Sequence, residues 1–128
     1  MKPLLLGLLA GVSLAGAVRA EAPTLLVAGR GASLEQAIEQ PHARDYRLLL
    51  MRDELMRVRA SRAEEEVREL LERARHDGAV VFVCQRDLKA ERLQSQDLLP
   101  GIVTVDASSV WESAAPNAAD LKLRSLCS

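Results

Sequence analysis

Two stretches of this chain are apolar at nearly every position and have the length of a strand: Tyr46 to Met51, with Leu48-Leu49-Leu50 at its centre, and Ala79-Val80-Val81-Phe82-Val83-Cys84. A strand with one wet face alternates apolar and polar residues. A run without alternation is buried on both faces, which is the habit of a parallel sheet carrying helices on either side. Thr24-Leu25-Leu26-Val27-Ala28 and Ile102-Val103-Thr104-Val105 supply two further strand candidates. Parallel neighbours need crossover connections, so the segments between these runs must hold helices.

The intervening segments meet that requirement. Ser33-Leu34-Glu35-Gln36 has the form of a capping box, and Leu34, Ala37 and Ile38 follow at helical spacing until Pro41. Asp53 is placed to cap a short turn carrying Leu55 and Met56. The spacing predicts a helix over 62–76: Ser61-Arg62-Ala63-Glu64 reads as a second capping box, Ala63, Val67, Leu70, Leu71 and Ala74 form one stripe, and Gly78 stops it. A short helical piece is expected from Asp87 to Leu93, a turn at Leu98 to Gly101, and a last helix opening at Ser109-Val110-Trp111-Glu112 and cut short by Pro116. The order β-α-β-(α)-α-β-α-β-α implies an α/β fold, a three-layer sandwich with a mostly parallel sheet. Residues 21–116 would form the domain, and residues 117–128 read as a weakly patterned tail.

The first 20 residues read as an address rather than as structure. Lys2 precedes a leucine-rich stretch, small residues run from Ala10 to Ala17, and Val18-Arg19-Ala20 suits signal peptidase before Glu21. The apolar stretch is shorter than the roughly 20 residues a membrane span needs. The expectation is a cleaved signal peptide, a periplasmic protein, and no membrane association after cleavage. Removing Lys2 and Arg19 from the 17 basic residues leaves 15 against 18 acids, a net charge of −3. Nucleic-acid binding through phosphates needs a basic excess, and aromatics at 2% offer no platform for stacked bases.

Few residues carry chemistry. His42 and His76 stand on different elements, His42 in a solvated connection and His76 in the last turn of a helix, so no metal site and no cofactor is expected. Gly29-Arg30-Gly31 lacks the third glycine of a dinucleotide fingerprint and the lysine of a P-loop, and reads as a tight strand-to-helix turn. Ligands of open parallel sheets sit beyond the carboxyl ends of the strands. Gly29, Gly31, Asp53 and Asp106 are the candidate pocket edge there. Trp111 is expected to pack a helix onto the sheet. Cys84 ends a strand at the same edge, with Arg86 and Lys89 following as cations that favour a thiolate. Three states stay open for it: a reactive thiol, an inert buried cysteine, or a disulfide to Cys127.

The block Gly78-Ala79-Val80-Val81-Phe82-Val83-Cys84-Gln85-Arg86-Asp87-Leu88-Lys89-Ala90, followed by Asp97-Leu98-Leu99-Pro100-Gly101-Ile102, resembles the DsrE/DsrF-like (YchN-like) family, and in particular its exported members. The resemblance covers about 35 residues, Gly78 to Glu112. It implies an α/β sandwich with a parallel sheet, usually a homo-oligomer, and sulfur chemistry in which a cysteine stores sulfane sulfur as a persulfide for a donor or acceptor protein. Carried over, that role falls on Cys84, with Arg86 and Lys89 lowering its pKa. The alternative is a non-catalytic binding or assembly module with the same fold and an inert cysteine. The chain departs from the family at Met51-Arg52-Asp53-Glu54, which replaces a glycine-containing loop, and at its C-terminal segment, which has no aromatic residues.

Overall fold

The computed structural model describes residues 24–42, 44–106 and 118–128. Four strands, β1 (Leu25–Ala28), β2 (Arg47–Leu50), β3 (Val80–Cys84) and β4 (Ile102–Val105), form one sheet in the order β1-β2-β3-β4, with every neighbouring pair parallel. In register, Val27 stands beside Leu49, Leu49 beside Phe82, and Phe82 beside Val103. The helices are α1 (Leu34–Glu39), α2 (Arg52–Met56), α3 (Glu65–His76), α4 (Gln85–Ala90) and α5 (Ala118–Leu126), with a 3₁₀ turn at Ser95–Asp97. The fold is the α/β three-layer sandwich expected from the apolar runs.

Each step along the chain moves one strand further in the same direction. Right-handed crossovers then put every connecting helix on one face. The packing agrees: Leu34 and Ala37 of α1, Leu55 of α2, Val67, Leu71 and Ala74 of α3 and Leu88 of α4 share one core with Leu26, Ala28, Leu48, Leu50, Val81 and Val83 of the sheet. The alternate residues of the same strands, Leu49, Phe82 and Val105, point the other way. With Met51 and Cys84 they form a second core against Leu123 and Cys127, the latter just past α5. Among the described residues α5 alone among the helices covers this face.

The C-terminal segment is therefore a correction. Residues 118–126 are helical and buried on one side, where the sequence reads as a weakly patterned tail. Asp120, 3% exposed, stands at a core position and pairs with Arg47 at the start of β2, which hides the apolar stripe from a reading by periodicity. Cys127 reaches Cys84 at the other end of the strands. α5 thus runs along the sheet in the strand direction, tied near both ends.

Local boundaries also differ. α3 begins at Glu65 with Glu64 as its N-cap, and the Ser61 capping box does not form. The cause is tertiary: Ala60 N–H donates to Asp97 (2.9 Å) and Leu99 N–H to Val58 (2.9 Å), which holds residues 58–63 in a turn against the 97–99 segment. Cys84 caps α4, so that helix starts at Gln85 and ends at Ala90 rather than running from Asp87 to Leu93. Asp53 lies inside the first turn of α2, whose N-cap is Met51. His42 is half-buried, its ring 4.0 Å from that of Tyr46 and its Nε2 3.2 Å from the Ile38 carbonyl oxygen, so it is not a solvated connection residue. The Ser33 capping box forms, and Gly78 adopts a positive φ after α3. The expected signal peptide, the helix at Ser109 to Glu112 and Trp111 lie outside the described residues.

Candidate functional site

Cys84 combines three positions. It is the last residue of β3, the N-cap of α4, and fully buried in the second core. Its sulfur is bonded to that of Cys127, with Cα atoms 5.1 Å apart and the two residues 43 positions apart in sequence. A sulfur in a disulfide carries no proton and no thiolate charge, so the nucleophile expected at this strand end is absent in this state. Of the three states the sequence leaves open, the structure holds the disulfide. The bond became possible because residues 118–126 fold as a helix and carry Cys127 onto the sheet.

The two cations placed beside Cys84 by sequence do not converge on it. Arg86 is exposed, and its guanidinium donates to Asp87 Oδ1 (3.4 Å) and to the main-chain oxygen of Ser128. Lys89 is exposed in the last turn of α4. Arg86 instead fastens the residue after Cys127 to α4, a second tie at the same corner.

The topology does bring the pocket-edge candidates to one sheet edge. Gly29 follows β1, Asp53 follows β2, Cys84 ends β3 and Asp106 follows β4. An unreversed strand order, however, offers no switch point at which two loops diverge and open a crevice. The edge is closed further by close packing. Gly29 has φ +103°, and a Cβ there would stand 2.0 Å from the Met51 carbonyl oxygen, so the first two strand ends touch through backbone. Gly31, with φ +89°, faces open space. Asp53 is exposed, and Asp106 is half-buried with an interaction of its own.

One charged cluster at this edge was not foreseen. Arg57 donates through both terminal nitrogens to Glu35 (2.8 and 2.7 Å) and through Nη1 to Glu54 (2.8 Å). Glu54 Oε1 also accepts from the Leu34 N–H at 2.7 Å, so a carboxylate of the chain itself fills the first turn of α1. The hydrogen bonds from Arg57 hold the Glu35 carboxyl at about 2, below the usual carboxylate range. The same bonds to Glu35 raise the Arg57 pKa further. Charges this fully matched are locking α1 to α2 and have little left for a ligand. The sequence signal was present, since Glu54 and Arg57 are three apart on one helix, but Glu35 lies 22 positions away.

Surface clefts, three of which are described by their linings, lie elsewhere among the described residues. One of about 290 Å³ is lined by Met56, Arg57, Arg62, Glu64 and Val67, and one of about 130 Å³ by Arg52, Leu55, Asp87, Ala90 and Glu91. The third, about 290 Å³, is lined by Val27, Arg30, Lys122 and Leu126. None of these linings includes Cys84, Gly29, Gly31, Asp53 or Asp106. The described residues contain no group of three or more His, Cys, Asp and Glu side chains able to hold a metal ion, and no helix long and apolar enough to cross a membrane. Comparison with protein families, with curated proteins and with solved structures gives no match.

Proposed function

We propose that this chain is an exported, periplasmic DsrE-like protein that acts as a binding or assembly module, its cysteine serving as a staple in place of a sulfur carrier. The observation that carries the reading is the buried Cys84–Cys127 bond. A relay cysteine must meet a donor and an acceptor in turn, and a sulfur fully covered and already bonded meets neither. The lysine- and leucine-rich leader supports export, and a disulfide in a small domain suits an oxidising compartment. Any assembly would join copies of the chain, as the resemblance implies.

A second reading rests on Cys84 being the N-cap of α4, where a free thiol would gain from the helix dipole. If a reductant opened the bond, the thiolate could attack the outer sulfur of thiosulfate, giving a Cys84 persulfide and releasing sulfite. Mass spectrometry after incubation with thiosulfate separates the two. The staple reading expects no adduct on the protein as purified, and none on Cys84 after reduction. A gain of about 32 Da on Cys84, lost in Cys84→Ser, would establish sulfur transfer instead. Intact mass of periplasmic material tests export: the chain should begin at Glu21, and retention of Met1 in a membrane fraction would overturn it.

A further inference from the structure

Among the described residues, a cleft lies on the side of α5 that faces β1. Lys122 and Leu126 lie four residues apart and share a helix face. With Val27 of β1 and Arg30 of the loop that follows, they line the third cleft. Val27 and Leu126 are half-buried and pack against the second core, so the floor is apolar. Arg30 and Lys122 are exposed, and among the described residues neither side chain has a hydrogen bond or an ion pair. No carboxylate stands in the described lining, although the mature chain expected from the sequence carries a net charge of −3.

We propose that this cleft binds a small amphipathic carboxylate, its head group between Arg30 and Lys122 and its hydrocarbon part on Val27 and Leu126. The proposal rests on the reading of the chain as a binding module and names the class of ligand. Two unmatched cations over an apolar floor recognise an anion and an oily tail together, and a guanidinium matches a carboxylate in shape as well as charge. At about 290 Å³ the cleft falls just below the usual range for ligand sites, about 300–1,000 Å³, so the tail is short. A nucleotide fits poorly, since no aromatic side chain stands in the described lining to stack a base. The wall formed by α5 is fixed by the disulfide one residue beyond Leu126, so the site belongs to the oxidised protein.

The probe is octanoate, titrated calorimetrically at low ionic strength into the oxidised protein, with octanol as the uncharged counterpart. Amide shifts in NMR locate the site. The expected result is 1:1 binding with shifts centred on Val27, Arg30, Lys122 and Leu126, and clearly weaker binding of octanol. Arg30→Gln and Lys122→Gln should each weaken octanoate roughly tenfold, as loss of a charged hydrogen bond does. Both are surface changes, and unchanged thermal unfolding confirms an intact fold. The proposal is overturned by absence of octanoate binding, by equal affinity for octanol, by shifts centred elsewhere, or by undiminished affinity in the double variant. A thiol count on the same sample reads the cysteine state independently, so failure of the ligand assignment and failure of the staple reading are told apart.

Discussion

Removing both cysteines tests the relation between α5 and the rest of the fold. Cys84→Ala with Cys127→Ala deletes the bond without leaving a lone buried thiol. The closed loop spans 43 positions. In the chain-entropy account, a loop of that length restricts the unfolded state by about 4 kcal/mol. A domain of this size has about 5–15 kcal/mol in all, so the staple is a large fraction of its stability. At a urea slope of about 2 kcal/mol/M the midpoint should fall by roughly 2 M, and the slope itself should rise, because the uncrosslinked unfolded chain exposes more surface. Urea titration followed by circular dichroism reads both. Reduced wild-type protein should unfold at the midpoint of the double variant. Coincident midpoints for oxidised wild type and double variant would show that the bond does not hold the fold, and the argument for a staple would fail with it.

Three further outcomes are expected. Leu49→Asp should unfold the domain, since Leu49 is fully buried in the second core and an unpaired carboxylate there costs several kcal/mol; a wild-type melting curve would contradict the central position of β2. Gly29→Ala should lower the melting temperature well beyond Gly31→Ala: both positions have positive φ, at about 1–2 kcal/mol for a Cβ residue, but only Gly29 meets the Met51 backbone. Equal melting temperatures would show that the two strand ends do not touch. Glu35 has a carboxyl lowered from 4.5 to about 2, so its contribution is present above pH 4.5 and lost as pH falls towards 2. Its side chain is 45% exposed, which limits the effect to less than about 1 kcal/mol. Arg57→Gln should flatten that acid limb in a pH series of urea midpoints, and an unchanged limb would deny the pairing.

The sequence revealed most where burial leaves a compositional mark. Leu48 to Leu50 and Val81 to Cys84 are buried at every position, on both faces of the sheet, and their unbroken apolar runs are the mark of that setting. Ser33 and Gly78 act through bonds and dihedrals within a few residues, so they too are legible locally. Ser61 looks equally local, yet the 58–60 segment is already committed to residues 97–99, and a contact across the fold outweighs a cap. α5 was hidden for the opposite reason. Its buried Asp120 pairs with Arg47, 73 positions away, and periodicity cannot register a charge that is matched from another element. Without α5, Cys127 reads as part of a loose chain, and the disulfide loses the geometry that makes it natural.

The unreversed strand order also sets a sequence of events for a chain that emerges from its N-terminal end. Each new strand can dock beside the one made just before it, and each crossover helix can cover the face behind it at once. Contacts between elements near in sequence close early and quickly. The opposite face has no such running cover. Among the described residues, the helix that covers Leu49 and Phe82 is α5, which comes after all four strands. Until then the growing sheet is half a sandwich, with an oily side and two free strand edges, the kind of surface on which partly made chains stick to one another. A break before residue 118 would remove the cover that the nine residues of α5 give to Leu49 and Phe82.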